Sequence, residues 1–599
     1  MHPTEEGIHA EYTGRLQARK AEHTNFERKF ITIGNLRLAL GVLAVLLGWI
    51  AFGRHLLSPA WLLVPLGGLA VLIVIHEKVL KTQRQALRAV EFYERGLARL
   101  EERWQGKGES GERFRDPQHP YAEDLDLFGK GSLFQLMCTA RTAAGEELLA
   151  QWLTTPADPD EVRARHEAML ELRDRLDLRE DLALLGTEVR AGVHPEALAR
   201  WSNETAVPFT VPERYAAAIL ALLAAAAIAA FFLDLVPLSV PVAVLLVGFL
   251  FAYYLRTRVQ HVIAGADLHA RDLGLLAAVL ERFERERFTG GRLADLRREL
   301  ETGGLPASWQ IARLHRLMEL LDSRRNQFFT PIAAVLLWGT QFAMAIESWR
   351  LRSGRHVGRW IAAIGELEAL TSLANYSYEH PADTLPELEP GPAPLFAADG
   401  LAHPLIPVDR AVRNDVRLGD GVRILIVSGS NMSGKSTLLR SVGINTALAW
   451  AGAPVRAKRL IVTPLVIGAS IRVQDSLQDN RSRFYAEILR LKQIVALAAG
   501  DKPSVFLLDE LLSGTNSHDR RIGAEAIVRT LAGSGAIGLV TTHDLALAHI
   551  ADTLGSQAAN VHFEDHLEHG EIHFDYRMKP GVVERSNALA LMRAVGLEV

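Results

Sequence analysis

The sequence RILIVSGSNMSGKST occupies residues 423–437. Its aliphatic start, Arg423–Ser428, is typical of a buried strand, and the rest follows the pattern GxxxxGKS of phosphate-binding loops. In a strand–loop–helix unit, such glycines let backbone N–H groups surround phosphates, and the following helix N-terminus adds its positive dipole end. We therefore predict a P-loop domain that binds ATP through Gly429, Ser430, Asn431, Met432, Ser433, Gly434, Lys435, Ser436 and Thr437.

Charged groups at the ends of two later predicted strands complete a hydrolytic site. The aliphatic run Ser504–Leu508 leads into Asp509 and Glu510, and the run Ile537–Thr541 leads to His543. A pair of adjacent carboxylates indicates hydrolysis as well as binding, because one holds Mg²⁺ and the other activates water. The predicted roles are phosphate neutralisation by Lys435, Mg²⁺ coordination by Ser436 and Asp509, general base catalysis by Glu510 and γ-phosphate sensing by His543.

Short aliphatic strands alternate with helices after residue 400, which predicts a mainly parallel α/β sheet. The segment Pro381–Pro394 is rich in proline and acidic residues and is predicted to be a linker. Before it, apolar residues recur at helical spacing and predict an all-helical domain. Its first part is marked by Leu133, Leu136, Leu148, Leu149, Trp152 and Leu153.

Four apolar stretches are each close to the length of about 20 residues that crosses a bilayer. Short connections group them into two hairpins, and Lys and Arg flank the outer ends of both, which places the rest of the chain in the cytoplasm. We predict a multi-pass protein of the cell (inner) membrane; the alternative is that these are buried core helices. The stretches are Leu36–Phe52, Leu56–Ile75, Tyr215–Leu233 and Val236–Leu255.

A fifth apolar stretch, Phe328–Ile346, carries Thr330, Pro331, Thr340 and Gln341. Polar residues in the middle of the stretch favour a buried helix that does not span the membrane.

Composition excludes several classes of protein. The chain has 599 residues, a formal net charge of −4 and one cysteine, Cys138, so it has neither an internal disulfide framework nor a cysteine zinc site. Nothing in the charge balance argues for DNA binding. Four histidines interleaved with acidic residues are better explained by an exposed β-hairpin than by a metal site; they are His562, His566, His569 and His573.

With these motifs in view, the chain resembles the MutS family of DNA mismatch-repair ATPases. The resemblance rests on GSNMSGKST at 429–437, LLDELLSGTNSHD at 507–519, TTHD at 541–544 and DNRSRFYAE at 479–487. It implies that two ATPase domains pair in a homodimer, that Ser482 reaches the partner's γ-phosphate and that His562 packs near the adenine. The helical domain resembles the lever domain of that family.

The sequence also departs from the family pattern. The family's mismatch-reading domain presents a Phe-x-Glu wedge, whereas Phe92-Tyr93-Glu94 lies on a predicted charged helix next to apolar stretches. No clamp that would grip DNA is recognisable. Mismatch recognition is therefore implied by the family name more than by residues of this chain.

The predicted fold class is α and α/β: a helical lever domain with two transmembrane hairpins, followed by a P-loop, ABC-type ATPase domain. The predicted regions are a cytosolic N-terminal helix (1–35), transmembrane hairpin 1 (36–76), a charged helix and linker (77–120), the first part of the lever domain (121–212), transmembrane hairpin 2 (213–256), the second part of the lever domain (257–380), a Pro-rich linker (381–400) and the ATPase domain (401–599).

Two functional hypotheses follow. The first is a membrane-anchored MutS-like ATPase that binds mismatched or branched DNA in an ATP- and Mg²⁺-dependent way. The second is a nucleotide-driven membrane ATPase that acts on a protein or lipid partner. An ABC-type exporter is disfavoured because no signature precedes the acidic strand. A stripe of basic residues on the lever surface would favour DNA, since phosphate contacts need Lys or Arg placed together.

Overall fold

The computed structural model describes residues 4–54, 56–190, 195–205, 207–267, 273–327, 329–430, 432–472, 483–513, 515–543, 548–568 and 571–583. The α-helices are α1 Glu5–Gly48, α2 Leu63–Leu100, α3 Leu133–Met137, α4 Ala143–Thr154, α5 Pro159–Arg173, α6 Leu176–Arg190, α7 Pro195–Asn203, α8 Val211–Phe232, α9 Ser239–Asp267, α10 Leu273–Glu284, α11 Gly291–Glu299, α12 Ala307–Asp322, α13 Thr330–Val335, α14 Trp338–Glu379, α15 Lys435–Ala451, α16 Arg483–Ala498, α17 Ser517–Gly533 and α18 Ile550–Leu554.

The strands are β1 Glu301–Thr302, β2 Leu305–Pro306, β3 Glu387–Leu388, β4 Phe396–Leu401, β5 Asn414–Leu418, β6 Ile424–Ser428, β7 Arg459–Val462, β8 Val466–Ser470, β9 Ser504–Leu508, β10 Ile537–Thr542, β11 Ala558–Glu568 and β12 Glu571–Pro580. The chain divides into two compact units. One comprises residues 1–108 with 378–381, and the other comprises residues 109–377 with 382–599.

The first unit is a long helical hairpin of α1 and α2. The predicted apolar stretches Leu36–Phe52 and Leu56–Ile75 form its tip, where large apolar side chains are exposed. No proline interrupts α1, so the predicted N-terminal helix and the first span form one continuous helix. At the other end Phe92 and Tyr93 are buried, and the Tyr93 ring packs on Tyr12. Phe92 is therefore a packing residue of the hairpin, in a setting unlike that of an exposed wedge.

The second unit begins with the helical domain. The side chains that the sequence pattern placed on its core face are buried, except that Leu148 is half-buried. A second helical hairpin, α8 and α9, projects from this domain with apolar side chains exposed along most of its length. In the part of the chain that the structure describes, four helices are long and apolar enough to cross a membrane: α1, α2, α8 and α9.

The predicted linker 381–400 is part of the folded domain. It contains β3 and most of β4, which belong to a four-stranded sheet in the order β3-β7-β4-β5. The partner strand of both β3 and β4 is β7, which lies much later in the sequence, so local composition could not show this pairing.

The main sheet has six strands in the order β12-β11-β6-β10-β9-β8. All neighbours pair in parallel except β11 and β12, which form an antiparallel hairpin, so the predicted mainly parallel sheet is confirmed. Strands β6, β9 and β10 are buried throughout. Because they are parallel neighbours, their C-terminal ends meet at one edge of the sheet, where ligands bind in this class of fold.

Candidate nucleotide site

The predicted phosphate loop lies at the C-terminal end of β6, directly before α15. Gly429 has φ +146°, and a Cβ atom there would lie 2.9 Å from the Phe563 carbonyl oxygen. Gly434, the residue before the helix, has φ +107°, which also favours glycine. The loop therefore bends sharply between strand and helix, and its backbone can approach a ligand closely. Asn431 lies outside the described residues.

Lys435 is buried in the fold of this loop. Its Nζ donates to the carbonyl oxygens of Gly429 at 2.9 Å and Ser430 at 2.8 Å. An ammonium group has three donors, so one is left for a phosphate oxygen. Burial lowers the pKa of Lys435, and the charges of Glu510 and Asp509 oppose that shift. The lysine is thus held by the loop that it would help to close around phosphates.

Ser436 and Asp509 lie together, as a shared metal site requires. Ser436 Oγ donates to Asp509 Oδ2 at 2.6 Å. A hydroxyl and a carboxylate are the hard oxygen ligands that Mg²⁺ takes from a protein when phosphates and water supply the rest. The donor set therefore fits Mg²⁺ bound with a nucleotide.

The other carboxylate oxygen of Asp509 is held by Thr541, a residue of β10 that the sequence analysis left without a role. Thr541 Oγ1 donates to Asp509 Oδ1 and accepts from the Glu510 backbone N–H at 2.9 Å. One fully buried hydroxyl therefore fixes both acidic residues. Only the pairing of β9 with β10 brings it there.

Glu510 has a positive φ of 47°, an uncommon conformation for a residue with a side chain. Its carboxylate lies 3.7 Å from His543 Nδ1, so the predicted base and the predicted sensor are neighbours. Arg520 on α17 lies beside them, with Nη1 3.5 Å from His543 Nε2. Its guanidinium also donates to the carbonyl oxygens of Leu512 and Ser513, which follow Glu510. Nothing in the local sequence distinguished Arg520 from other helical arginines.

The segment that resembles the family signature is only partly described. Ser482 lies outside the described residues, and its role across a dimer stays a prediction. Glu487, at the end of the same segment, is buried and its Oε1 accepts from the Leu512 backbone N–H at 2.6 Å. This hydrogen bond connects α16 to the loop that follows Glu510.

A cavity of about 850 Å³ opens beside the phosphate loop. Besides Lys435, Ser436, Thr437, Asp509 and Glu510, its wall includes His403, Ile406, Arg410, Phe563 and Tyr576. It combines a polar end at the carboxylates with an apolar, aromatic end, as a site for a nucleotide needs.

The aromatic wall comes from residues that the sequence analysis missed. Tyr576 lies against Gly434, and Asn414 of β5 holds it by donating to the Tyr576 carbonyl oxygen and accepting from the Met578 N–H. His562 itself is not part of the described cavity wall. Its ring nitrogens lie 3.1 Å from the Gly581 carbonyl oxygen and 3.1 Å from Glu564 Oε1. Its neighbour Phe563 faces the cavity instead.

The helical domain touches the site through a short turn before α3. Asp124 is buried and accepts from the backbone N–H groups of Ile471 and Arg472, both at 2.7 Å. Asp126 forms ion pairs with Arg440 on α15 and with Arg472. The turn therefore contacts both the helix of the phosphate loop and the chain that leads into the signature segment.

Comparison with known proteins agrees with this geometry. The family MutS domain V matches residues 425–598. The protein named Endonuclease MutS2 of Thermus thermophilus is 31% identical over 344 residues, which are 55% of this chain and 44% of that protein. Its namesake in Thermomicrobium roseum is 35% identical over 199 residues, 33% of this chain and 24% of the relative.

The match thus spans less than half the length of these curated relatives. The family match at 425–598 includes the phosphate loop, the acidic strand and the histidine strand. Residues 425–598 of the chain are therefore similar to the C-terminal domain of MutS proteins, MutS domain V.

Proposed function

We propose that the chain is a membrane-anchored ATPase of the MutS type that couples ATP hydrolysis to the binding of mismatched or branched DNA. The observation that carries the ATPase part is the placement of Lys435, Ser436, Asp509 and Glu510 around one cavity. The relatives are named endonucleases, but the residues of this cavity support nucleotide hydrolysis, and we propose no nuclease activity.

Each residue of the site has a distinct part in the proposed reaction. When bound with the nucleotide, Mg²⁺ would supply positive charge that stabilises the phosphates. Lys435 neutralises the same phosphates, and Ser436 with Asp509 holds the metal. Glu510 orients a water and accepts its proton, since it is the carboxylate of the pair that does not bond to Ser436. Thr541 holds the Asp509 carboxylate and the Glu510 backbone in place, and His543 senses the γ-phosphate.

We further propose that two ATPase domains pair as a homodimer, in which Ser482 of each protomer completes the other site. This part rests on the family resemblance. ATP binding would then move the lever domain through the turn at Asp124 and Asp126, which bonds to α15 and to the chain before the signature segment.

Membrane anchoring rests on the four long apolar helices. Exposed Leu, Val, Ile and Phe side chains along their apolar stretches would be solvated by lipid, and the basic residues at their outer ends favour the cytoplasmic side. The proposed location is the cell inner membrane, with the lever and ATPase domains in the cytoplasm.

A basic stripe on α14 supports the DNA part of the proposal. Arg352, Arg355 and Arg359 lie on one face of the helix at spacings of three and four residues and are exposed. In the described part of the chain, no carboxylate forms an ion pair with any of the three. Like charges at this spacing destabilise an isolated helix, so the stripe is best explained by a polyanionic partner.

The pKa of His356 reflects burial and the arginines of the stripe beside it. Burial, followed by the neighbouring Arg355 and Arg359, lowers the pKa of His356. The positive charge of the stripe therefore comes from its guanidinium groups, which can contact phosphates, and not from His356.

The second candidate is an ATPase that acts on a membrane protein or lipid without DNA. The buried Phe92 and Tyr93 favour it, because the chain then has no Phe-x-Glu wedge at its surface among the described residues. The net charge of −4 is also unlike that of a dedicated DNA-binding protein.

ATP turnover of the full chain in lipid nanodiscs tests the proposal, with Lys435→Ala as background. Turnover is measured without DNA, with homoduplex, with a mispaired duplex and with a four-way junction, at low and moderate salt. Stimulation by mispaired or branched DNA above homoduplex is expected. Equal stimulation by every DNA that is lost with salt would reduce the DNA role to backbone contact. Robust turnover that ignores all DNA would favour the second candidate.

The basic stripe has its own test in the same samples. Arg355→Glu with Arg359→Glu should weaken DNA binding and lower the slope of log affinity against log salt by about 2, for two lost phosphate contacts. The control pair Arg285→Glu with Arg298→Glu changes net charge equally at exposed arginines that already face carboxylates. Equal losses in both pairs would remove the stripe from its proposed role.

A further inference from the structure

The apolar stretch that the sequence predicted to be a buried helix is interrupted in the structure. Helix α13 ends at Val335, Leu337 has a positive φ of 49°, and α14 begins at Trp338. We call residues 329–342 the α13 tip. It is the turn between the antiparallel helices α12 and α14, so it cannot cross a membrane as one straight helix.

Two of the polar side chains that argued against membrane contact, Thr330 and Gln341, are hydrogen-bonded within the tip and its flanks. Thr330 Oγ1 donates to the carbonyl oxygens of Arg324 at 3.0 Å and Asn326 at 2.9 Å. Gln341 Nε2 donates to the Leu336 carbonyl oxygen, at the break between the helices, at 2.7 Å. The Trp338 indole N–H donates to the Leu320 carbonyl oxygen. Internal pairing of this kind is the condition for placing irregular backbone in a bilayer.

The outward side of the tip is apolar. Pro331, Ile332 and Ala334 are exposed, with Ile332 52% accessible, while Ala333 and Leu337 face the protein. Phe329 and Trp338 stack edge to face beside them, with ring centroids 5.0 Å apart. Tryptophan next to exposed aliphatic residues is typical of a membrane interface.

The α13 tip lies against hairpin 2, the helices α8 and α9. The tip packs against α8, and Leu337 Cδ2 lies 3.9 Å from the position of a Cβ on Gly248 in α9. Gly248 precedes Arg256 by eight residues, so the contact lies about 12 Å along α9 from its first basic residue. The exposed face of the tip is thus continuous with the apolar surface of hairpin 2, beside the middle of α9.

From this placement we propose that the α13 tip inserts into the cytoplasmic leaflet beside hairpin 2 and makes a third membrane contact without crossing the bilayer. The inference rests on the proposed membrane anchoring of hairpin 2. The partner is the acyl region of a phospholipid leaflet, in contact with Pro331, Ile332 and Ala334. Arg324 and Arg325 at the base of the tip have stems long enough to keep their guanidinium groups at the headgroups.

The proposed lipid contact would be made by part of the lever domain itself. Helix α14 begins in the tip and continues for 42 residues, a length of about 63 Å, through the basic stripe to Glu379. The lipid contact on α13 is therefore joined, through the short turn at Leu337, to the helix that carries the stripe.

Single-site fluorescence labelling of the full chain tests the insertion. The only native thiol, Cys138, is buried, so an introduced surface cysteine can be labelled selectively and the unmodified chain serves as the blank. Ile332→Cys carries an environment-sensitive dye in phosphatidylcholine–phosphatidylglycerol nanodiscs, and its quenching by spin-labelled lipid is compared with quenching by aqueous iodide. Phe249→Cys on α9 is the lipid reference, and Leu351→Cys, exposed on α14, is the water reference.

We expect the Ile332 label to behave like the Phe249 label, with several-fold stronger quenching by spin-labelled lipid than at Leu351. Ala334→Cys should report the same environment and replaces Ile332→Cys if that chain does not fold. A lipid-facing Phe249 label together with a water-facing Ile332 or Ala334 label would overturn the insertion and leave the anchoring intact. A water-facing Phe249 label would overturn the anchoring itself, and the insertion with it.

Discussion

At the scale of single residues, Thr541 links Asp509, the proposed metal ligand, to Glu510, the proposed general base. Its hydroxyl bonds to Asp509 and to the Glu510 backbone N–H, and valine has the same shape without the hydroxyl. We expect Thr541→Val to lose about 1–3 kcal/mol of transition-state stabilisation, which corresponds to roughly 5–160-fold in turnover.

Steady-state kinetics with a fluorescent-nucleotide binding assay would measure this effect. Nucleotide affinity should change little, since Thr541 is not in the described cavity wall. Thr541→Ser keeps the hydroxyl and should retain most of the turnover. If the valine and serine variants lose turnover equally, the hydrogen bonds do not explain the role of Thr541.

Substitution of Glu510 should reduce turnover more than substitution of Thr541. Replacement by glutamine keeps the size of the side chain and removes its capacity to accept a proton. Glu510→Gln should still bind ATP but hydrolyse it at least about 10²-fold more slowly. Single-turnover hydrolysis measured beside equilibrium binding separates the two effects, and Lys435→Ala should show the opposite pattern, with weakened binding. Wild-type turnover in Glu510→Gln would remove Glu510 from its assigned role.

The phosphate loop and the two carboxylates could be predicted from the local sequence, because each follows directly after its strand along the chain. The positioning role of Thr541 and the places of Arg520 and Tyr576 in the site could not be predicted in this way, because their partners come from other strands and helices. Tyr576 meets Gly434 only because β12 pairs with β11 and β11 pairs with β6. Residue type and spacing cannot specify that chain of pairings.

At the scale of elements, the base of the first hairpin is held by a buried ion pair. Arg99 donates to both carboxylate oxygens of Glu379 at 2.6 and 2.7 Å, and the Tyr12 hydroxyl donates to the same carboxylate. The side chain of Glu379 is 1% exposed and that of Arg99 10%. Removing one partner of such a pair leaves a buried charge and typically costs about 3–5 kcal/mol.

Arg99→Met should therefore increase amide hydrogen exchange near Tyr12 in α1 and in the last turns of α2. Adding Glu379→Gln should reverse part of the increase, because no buried charge then remains. Arg95→Met is the matched control, since Arg95 lies on the same helix in an exposed pair 3.8 Å from Glu91. Unchanged exchange in Arg99→Met, or an equal change in Arg95→Met, would contradict the role of the pair.

Some helices and strands could be predicted from the sequence, and others depend on partners that are distant in the sequence. Apolar length predicted all four long hydrophobic helices, since that property is local. Local composition predicts a linker at 381–400 and not β3 and β4, because β7, which pairs with both strands, follows the phosphate loop in the sequence. The continuous apolar composition of 328–346 predicts one helix, whereas in the structure Leu337 has a positive φ and its side chain contacts α9.

At the scale of the whole molecule, two histidines, the half-buried His166 and the buried His403, make the folded state sensitive to acid. Burial, with a contribution from Arg165, lowers the pKa of His166 to about 4. Burial, with Arg440 and Arg456, lowers the pKa of His403 to about 4. An unfolded histidine takes up a proton below pH ~6.5, so between that pH and ~4 the unfolded chain binds more protons than the folded one.

Each of the two histidines should therefore destabilise the fold as the pH falls through this window and have no such effect above it. For His403 alone the loss at about pH 5 is about 2 kcal/mol. His403→Asn should remove that part of the acid sensitivity, because asparagine keeps an acceptor for the Leu405 N–H that His403 Nδ1 accepts at 3.2 Å. The readout is the change in thermal midpoint between about pH 7.5 and about pH 5.

Comparing pH slopes cancels any loss of packing that is the same at both pH values. Other groups shift in the opposite sense, such as buried Glu368, whose pKa is raised chiefly by desolvation, so the difference between variant and parent isolates His403. His549→Asn, at a side chain that is 80% exposed, controls for the general effect of losing a histidine. A slope in His403→Asn as steep as in the parent and in His549→Asn would mean that His403 is protonated in the folded chain as readily as in the unfolded one.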